Sequence, residues 1–441
     1  MTDIQQVVPS ARSAGRGFRA YSAKHLDTLA LRAGLAPEER LAVRAVATVL
    51  PFRTNSYVVE HLIDWDAAPD DPIYRLVFPQ PDMLPAADVD RIAGLLTRGA
   101  TARELQAAAH TIRMRLNPHP GEQLSLNTPR LNGEPVHGMQ HKYPETVLFF
   151  PQQGQTCHAY CTYCFRWPQF VSEPDLRMAS SDAETLRAYL LAHPEVTSVL
   201  ITGGDPLIMS SAVLARYVEP LLDVPHLESI RIGTKALSYW PHRVLTDPDA
   251  DDLLRLFERV GSSGRTLAFM AHYSHPRELE PEVARRAVER IRGTGAVIRA
   301  QAPLIRGIND RAEDWAVLWR RLVAQGVVPY YLFVERDTGP QDYFAVPLAR
   351  AHEIFREAYA QVSGLARTVR GPIMSATPGK VQVDGVAEVS GQQAFVLHYV
   401  QARDPDLVGR PFFAAYDSSA RWLTELKPLP GAGPLPGVDC V

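Results

Sequence analysis

Cysteine is scarce in this chain: there are four in 441 residues, and three of them fall within eight consecutive positions. That excludes a disulfide framework. Cys157, Cys161 and Cys164 lie too close together to staple a fold, and Cys440 stands alone next to the end. Long hydrophobic runs are also missing. No apolar stretch approaches the roughly 20 residues that span a bilayer, and the opening MTDIQQVVPSARSAGRG lacks the apolar core of a secretion signal. Neither sign of charge dominates. The formal net charge is −3 and no basic block stands out, so nothing calls for nucleic acid or an anionic membrane surface. These absences lead us to expect a cytoplasmic protein. In that reducing compartment clustered thiols stay free, which leaves metal ligation as the function to test.

What is present has a clear rhythm. Up to about residue 140 the pattern is helical, as in Pro37 to Val49 and the amphipathic stretch Ala87 to Thr97. From Val147 onward, short apolar runs of strand length alternate with amphipathic helices. The runs are VLFF (147–150), SVLIT (198–202), SIRIG (229–233), TLAFMAHY (266–273), VIRAQAPL (297–304) and YYLFV (330–334). Acidic or Ser residues open most of the intervening helices, and Gly or Pro usually closes them. Such alternation predicts right-handed βαβ units on a parallel sheet. About six units suggest an α/β fold built on a partial (β/α)6 TIM-like barrel, with an N-terminal helical domain and a C-terminal extension. The expected boundaries are 1–140 for the helical domain, 141–365 for the barrel and 366–441 for the extension. The extension ends in PLPGAGPLPG, which we expect to be flexible.

The cysteines sit in FFPQQGQTCHAYCTYCFRW, directly after the first barrel strand and hence at the C-terminal mouth, where such folds carry their chemistry. Three thiolates hold three irons of a cubane and leave the fourth iron open. A structural zinc site wants a fourth Cys or His. His158 is the candidate, but as the neighbour of Cys157 it has difficulty meeting the same ion as Cys164. The CxxxCxxC spacing resembles that of the radical S-adenosylmethionine (SAM) superfamily. The resemblance implies a [4Fe-4S] cluster on Cys157, Cys161 and Cys164, with SAM bound at the open iron and cleaved to a 5′-deoxyadenosyl radical. The second motif, ITGGDPL (201–207), ends the second strand. Its glycines let backbone approach a ligand closely, and it resembles the superfamily's glycine-rich SAM motif, so Thr202, Gly203, Gly204 and Asp205 are candidate SAM contacts. The bland alternative is a tight turn.

Further segments resemble one branch, the lysine 2,3-aminomutase family. They are NSYVVEHLIDWDAAPDDPIYRL (55–76), HKYPETVL (141–148), AHYSHPREL (271–279), RAQAPLIRGIND (299–310), VPYYLFVERD (328–337) and VSGLARTVRGPIMSATPGK (362–380). The resemblance implies an isomerase that moves an amino group from Cα to Cβ with pyridoxal 5′-phosphate (PLP) held as a Schiff base on a lysine. Counted from Ser363-Gly364, that lysine is Lys380, whose plain alternative is an exposed lysine in a Pro-Gly turn. By the same carry-over, Lys142 and Tyr143 contact the PLP phosphate, Arg166 grips the substrate α-carboxylate, and His272 and Gln301 lie on the SAM side. The expected partners are a small amino-acid substrate and an electron donor of the flavodoxin or ferredoxin type. Assembly as a homo-oligomer stays open.

The chain also departs from that family. The family's glycine run is reduced to Pro378-Gly379, and the arginine expected after Tyr143 is Thr146. Where lysine-acting members carry two aspartates for the distal ammonium, this chain has Arg336 and Ile373. A cation repels an ammonium, so we expect an acidic substrate such as glutamate or aspartate, bound at Arg336. Asp337 lies one residue away, and a slip of register would restore lysine. A PLP-independent radical SAM enzyme that abstracts hydrogen from another substrate is the other enzymatic reading. A zinc- or cluster-bearing binding protein is the non-enzymatic one.

Overall fold

The computed structural model describes residues 17–171, 173–431 and 433–438, so Cys440 lies outside the described residues. Eleven strands form one continuous sheet. Its first strand, β1 (Met139–Tyr143), runs antiparallel to β2 (Thr146–Phe149). Parallel to β2 follow β3 (Ser198–Ile201), β4 (Ser229–Thr234), β5 (Thr266–His272), β6 (Val297–Leu304), β7 (Val328–Val334) and β8 (Arg370–Ser375). The sheet ends in an antiparallel extension of β9 (Gly379–Val389), β10 (Gln392–Ala402) and β11 (Pro411–Ala415). Strands β2 to β7 are the six runs expected from the sequence.

The helices follow from apolar spacing. Before the sheet come α1 (Pro37–Val49), α2 (Ala86–Thr97) and α3 (Ala102–Arg115). Between the parallel strands lie α4 (Ala183–Ala192), α5 (Ser211–Val218), α6 (Ala250–Ser262), α7 (Glu282–Gly293), α8 (Ala312–Ala324) and α9 (Leu348–Ala360). In α6 the buried Leu253, Leu256, Phe257 and Val260 recur at i, i+3, i+4 and i+7, one face of a 3.6-residue turn. Each such side chain contributes about 1.5–3 kcal/mol on burial. Ala284, Ala287, Val288 and Ile291 repeat the spacing in α7. Side-chain caps are fewer than the sequence suggested. Asp182 and Ser210 cap α4 and α5, whereas Asp249 before α6 turns instead to Arg243 and the Ser211 amide.

Two expectations are corrected. The parallel part of the sheet has seven strands, not six, because RGPIMS (370–375) pairs with β7. In the fold, a Cβ at Gly371 would lie within 2.6 Å of the Leu332 carbonyl oxygen, so only glycine lets β8 close on β7. The sheet therefore runs across the division drawn at residue 365. The described residues of the tail PLPGAGPLPG are also packed rather than loose. Leu429 and Leu435 are buried, the Tyr399 hydroxyl donates to the Pro436 carbonyl, and Pro428 bridges to Ala414.

Three hydrophobic clusters fill the molecule. One lies between the sheet and helices α4–α9. One lies within the N-terminal helices and reaches into the cysteine loop through Ala159, Tyr163 and Trp167. The third lies under β9–β11 and the tail. The sheet is not closed by strand pairing: β1 is one edge, and β8 continues into β9. Side chains bridge the gap. Lys142 donates to the Ala376 carbonyl, and Lys380 Nζ lies 4.6 Å from the centre of the Tyr143 ring.

Candidate active site

At the C-terminal ends of β2 to β8 the curled sheet encloses a cavity of about 320 Å³. Fourteen residues named from the sequence line it: Lys142, Tyr143, Cys157, Cys161, Cys164, Arg166, Thr202, Gly203, Gly204, Asp205, His272, Gln301, Arg336 and Lys380. Ile373 does not; it is fully buried in β8 away from the cavity.

The cysteine loop is held by backbone bonds to distant parts of the chain. The N-terminal region grips it from one side. Tyr160 N donates to Arg53 O at 2.8 Å, and Thr162 N to Leu76 O at 2.9 Å. The fully buried Asn55 amide donates to the carbonyls of His158 (3.1 Å) and Tyr239 (3.0 Å). From the other side Asp205 N donates to Thr156 O at 2.7 Å and Gly204 N to Gly154 O at 3.0 Å. Each cysteine keeps some exposure, but to the cavity. Distance from bulk solvent raises all three thiols, Cys164 to about 12, and the thiol of Cys157 also feels those of Cys161 and Cys164. Unligated, they stay protonated at neutral pH, and only a bound metal would draw off the protons. No tight group of three His, Cys, Asp or Glu side chains suited to one metal ion occurs among the described residues. The donor set fits a cluster: three thiols on one pinned loop, facing a shared cavity.

The GGD motif works differently from its first reading. A Cβ on Gly204 would stand within 2.6 Å of the Thr156 backbone, so this glycine is needed to seat the cysteine loop as well as to admit a ligand. The Asp205 carboxylate is taken up by protein: it accepts from Leu207 N (3.0 Å), Thr234 Oγ1 (2.7 Å) and Lys235 N (2.9 Å). Burial raises it to about 6 despite those donors. It therefore ties the end of β3 to the end of β4.

On β5 and β6 the neighbours His272 and Gln301 meet side by side, ring Nε2 to amide nitrogen at 3.1 Å. Burial, with Lys235 and Arg166 nearby, lowers His272 to about 3, so the ring is neutral. Across the cavity the Arg166 guanidinium lies over Phe150 (4.4 Å) and Phe165 (5.0 Å), and its Nη1 is buried without a hydrogen-bond partner. A forked donor left open in this way suits a carboxylate. Lys380, opposite Ser375 on β9, donates to Gln401, and burial lowers it to about 7, with Arg231 and Arg370 adding to the shift. A neutral amine of this kind adds to an aldehyde.

Arg336 lies among cations. It is 3.4 Å from Asp337 and donates to the Pro120 carbonyl at 3.3 Å. Together with Arg403 and Lys380 it lowers the buried Lys142, an effect second to that of burial.

Three charged cavity residues escaped the sequence reading. Lys235 forms a buried ion pair with Glu278 at 2.6 Å. Glu335 is buried, and its carboxyl is raised well above the usual range by desolvation. Arg231 sits on β4 between the core residues Ile230 and Ile232. The alternation I-R-I was a usable signal, because a charge on the second face of a central strand must point into the barrel.

A cysteine-bearing loop at the mouth of a parallel α/β sheet, with a glycine turn seated against it, is the framework of a radical SAM enzyme. No family model matches the chain. An Aquifex aeolicus protein carrying the provisional name L-lysine 2,3-aminomutase is 34% identical over 393 residues, covering 89% of this chain and 92% of that protein. The L-lysine 2,3-aminomutase of Fusobacterium nucleatum is 30% identical over 232 residues, 53% of this chain and 52% of that enzyme. Among solved structures, Streptococcus suis SuiB bound to S-adenosylmethionine matches with a TM-score of 0.35 and 12% identity, covering 50% of this chain and 44% of that one. That likeness is too loose to bear on the chemistry. The chain belongs to the lysine 2,3-aminomutase family of radical SAM enzymes, which are isomerases that use a [4Fe-4S] cluster, SAM and PLP. No helix among the described residues is long and apolar enough to cross a membrane.

Proposed function

We propose that this chain is a PLP-dependent 2,3-aminomutase acting on an amino acid with an acidic side chain, glutamate or aspartate being the first candidates. The observation that carries the reading is that Lys380, a buried amine of pKa about 7, opens onto the same cavity as the three cysteine thiols. When bound, the cluster and SAM supply a hydrogen-abstracting radical, and PLP supplies a carrier for the migrating nitrogen.

The chain's own residues do the rest. Cys157, Cys161 and Cys164 hold the cluster. Gly203, Gly204, His272 and Gln301 line the SAM side, and the neutral His272 brings no charge to it. Lys380 presents a free amine, while Lys142 and Tyr143 face the phosphate. Arg166, with its open guanidinium nitrogen, would hold the substrate α-carboxylate. The enclosing sheet keeps water from the reacting atoms. The acidic-substrate preference is supported by Arg336 and Arg403, which, after burial, lower the Lys142 amine more than Asp337 raises it. A reducing cytoplasm and a low-potential donor of the flavodoxin or ferredoxin type go with this reading.

Lysine is the second reading. The buried Glu335 carboxyl, which a distal ammonium would pair with, favours it, as do the relatives' names. Anaerobic incubation of the reconstituted enzyme with glutamate, aspartate and lysine, followed by mass spectrometry of β-amino products, decides between them. Under the proposal an acidic substrate turns over best, and Arg336→Ala weakens it sharply. If lysine turns over best and Arg336→Ala leaves it unchanged, the acidic-substrate reading is wrong. A borohydride-fixed pyridoxyl adduct on any lysine other than Lys380 removes the anchoring role.

A further inference from the structure

We propose that Arg231 anchors the phosphate of the cofactor held at Lys380, doing from β4 what the residue at 146 on β2 does not do. The inference rests on the reading of Lys380 as the PLP lysine.

The evidence is geometric. Arg231 projects from a central strand into the cavity that Lys380 enters, alongside Thr146, Tyr330 and Tyr331. Its Nη2 reaches Thr146 Oγ1 at a long 3.4 Å, and its Nε is buried with no hydrogen-bond partner. No carboxylate forms an ion pair with it among the described residues, in contrast to Arg113, paired with Glu173 at 2.9 Å, and Arg243, paired with Asp249 at 2.7 Å. A desolvated guanidinium without an anion is costly, and it is retained where a ligand supplies the anion. Thr146 is small enough to leave the space in which that anion would sit, and Arg231 occupies one side of it. Arg231 and Lys380 line the same cavity, and the Arg231 charge adds to burial in lowering the Lys380 amine. A phosphate between them would meet Lys142 and Tyr143 from β1 and Arg231 from β4. Its two negative charges would offset cations that otherwise oppose one another. A forked guanidinium gives such an oxyanion two parallel hydrogen bonds, which a hydroxyl at 146 cannot.

The test separates this role from that of Lys380. The full chain with its cluster reconstituted anaerobically is titrated with pyridoxal phosphate and with pyridoxal, which lacks the phosphate. Adducts are fixed with borohydride and mapped by mass spectrometry. The wild type is expected to bind the phosphorylated form much more tightly. In Arg231→Gln that preference should fall by about tenfold to a hundredfold, the scale of one lost charge-assisted bond, with pyridoxal affinity unchanged and Lys380 still the labelled residue. Arg231→Lys should recover part of it and keeps the proposal testable if the Gln variant does not fold. Loss of both ligands to the same degree from a folded Arg231→Gln protein would make Arg231 a structural residue and overturn the proposal. An unaltered preference would also overturn it. Labelling of a different lysine in the wild type would instead overturn the reading on which the proposal rests.

Discussion

Replacing Gly204 with alanine adds one methyl group at the point where the GGD turn meets the cysteine loop. The backbone at this position is not in the left-handed region, so the effect must come from space alone. The new Cβ would lie within 2.6 Å of both the nitrogen and the carbonyl carbon of Thr156, the residue before Cys157. Ordinary contact is nearer 3.5–4.0 Å, so backbone must shift by about 1 Å on one side or the other. Overpacking of this kind costs about 1–3 kcal/mol. The bonds from Gly204 N to Gly154 O and from Asp205 N to Thr156 O are strained together with it, at about 1 kcal/mol each. We expect a loss of about 2–4 kcal/mol in stability and, because the displaced backbone carries Cys157, a marked fall in iron and sulfide bound after anaerobic reconstitution. Gly94→Ala is the control: it lies in helix α2 with nothing within 4 Å of the added atom, and alanine there should stabilise by about 0.5–1 kcal/mol. The measurements are a thermal melt and an iron assay on both variants. If Gly204→Ala melts and loads iron like the wild type, the glycine is not what seats the loop, and its role reverts to that of a ligand-facing turn.

Three further outcomes are expected. Cys161→Ala should abolish reductive SAM cleavage, since two thiolates cannot hold a cubane with one open iron; full cleavage by that variant would sink the cluster assignment. The rate of adduct formation at Lys380 should rise with pH around 7, and not around the ordinary lysine value of 10.5. Between those values the unfolded chain binds a proton at this lysine and the folded chain does not, so this group's contribution to stability rises with pH across the window. Labelling with an inflection near 10.5 would show that the amine is not desolvated. Asn55→Ala should cost about 3 kcal/mol or more and lower cluster retention, because it strands the carbonyls of His158 and Tyr239 and the amide of Val58 in the interior. Chemical denaturation together with the iron assay checks this, and unchanged cluster content would mean that the N-terminal region does not brace the loop.

The sequence by itself carried the local and periodic information. Strands β2 to β7 were visible as short apolar runs, and helices α6 to α8 as apolar faces at 3.6-residue spacing, because both depend on neighbours within a few residues. The cysteine spacing carried the class of cofactor for the same reason. What only the tertiary structure decided involves distant partners. The place of β8 beside β7 depends on the close approach of Gly371 to Leu332, a contact that local sequence does not show. The tail looks loose by composition until Leu435 joins the hydrophobic cluster under β9–β11. Asp205 reads as a ligand in a motif, but the fold commits its oxygens to Thr234 and Lys235, thirty residues along the chain. Arg231 was one polar letter in a strand. Its unpartnered guanidinium has meaning only once the sheet curls and brings β4, β2 and Lys380 around one cavity. Chain neighbours set local structure, but the cost of an unpaired charge depends on everything folded around it.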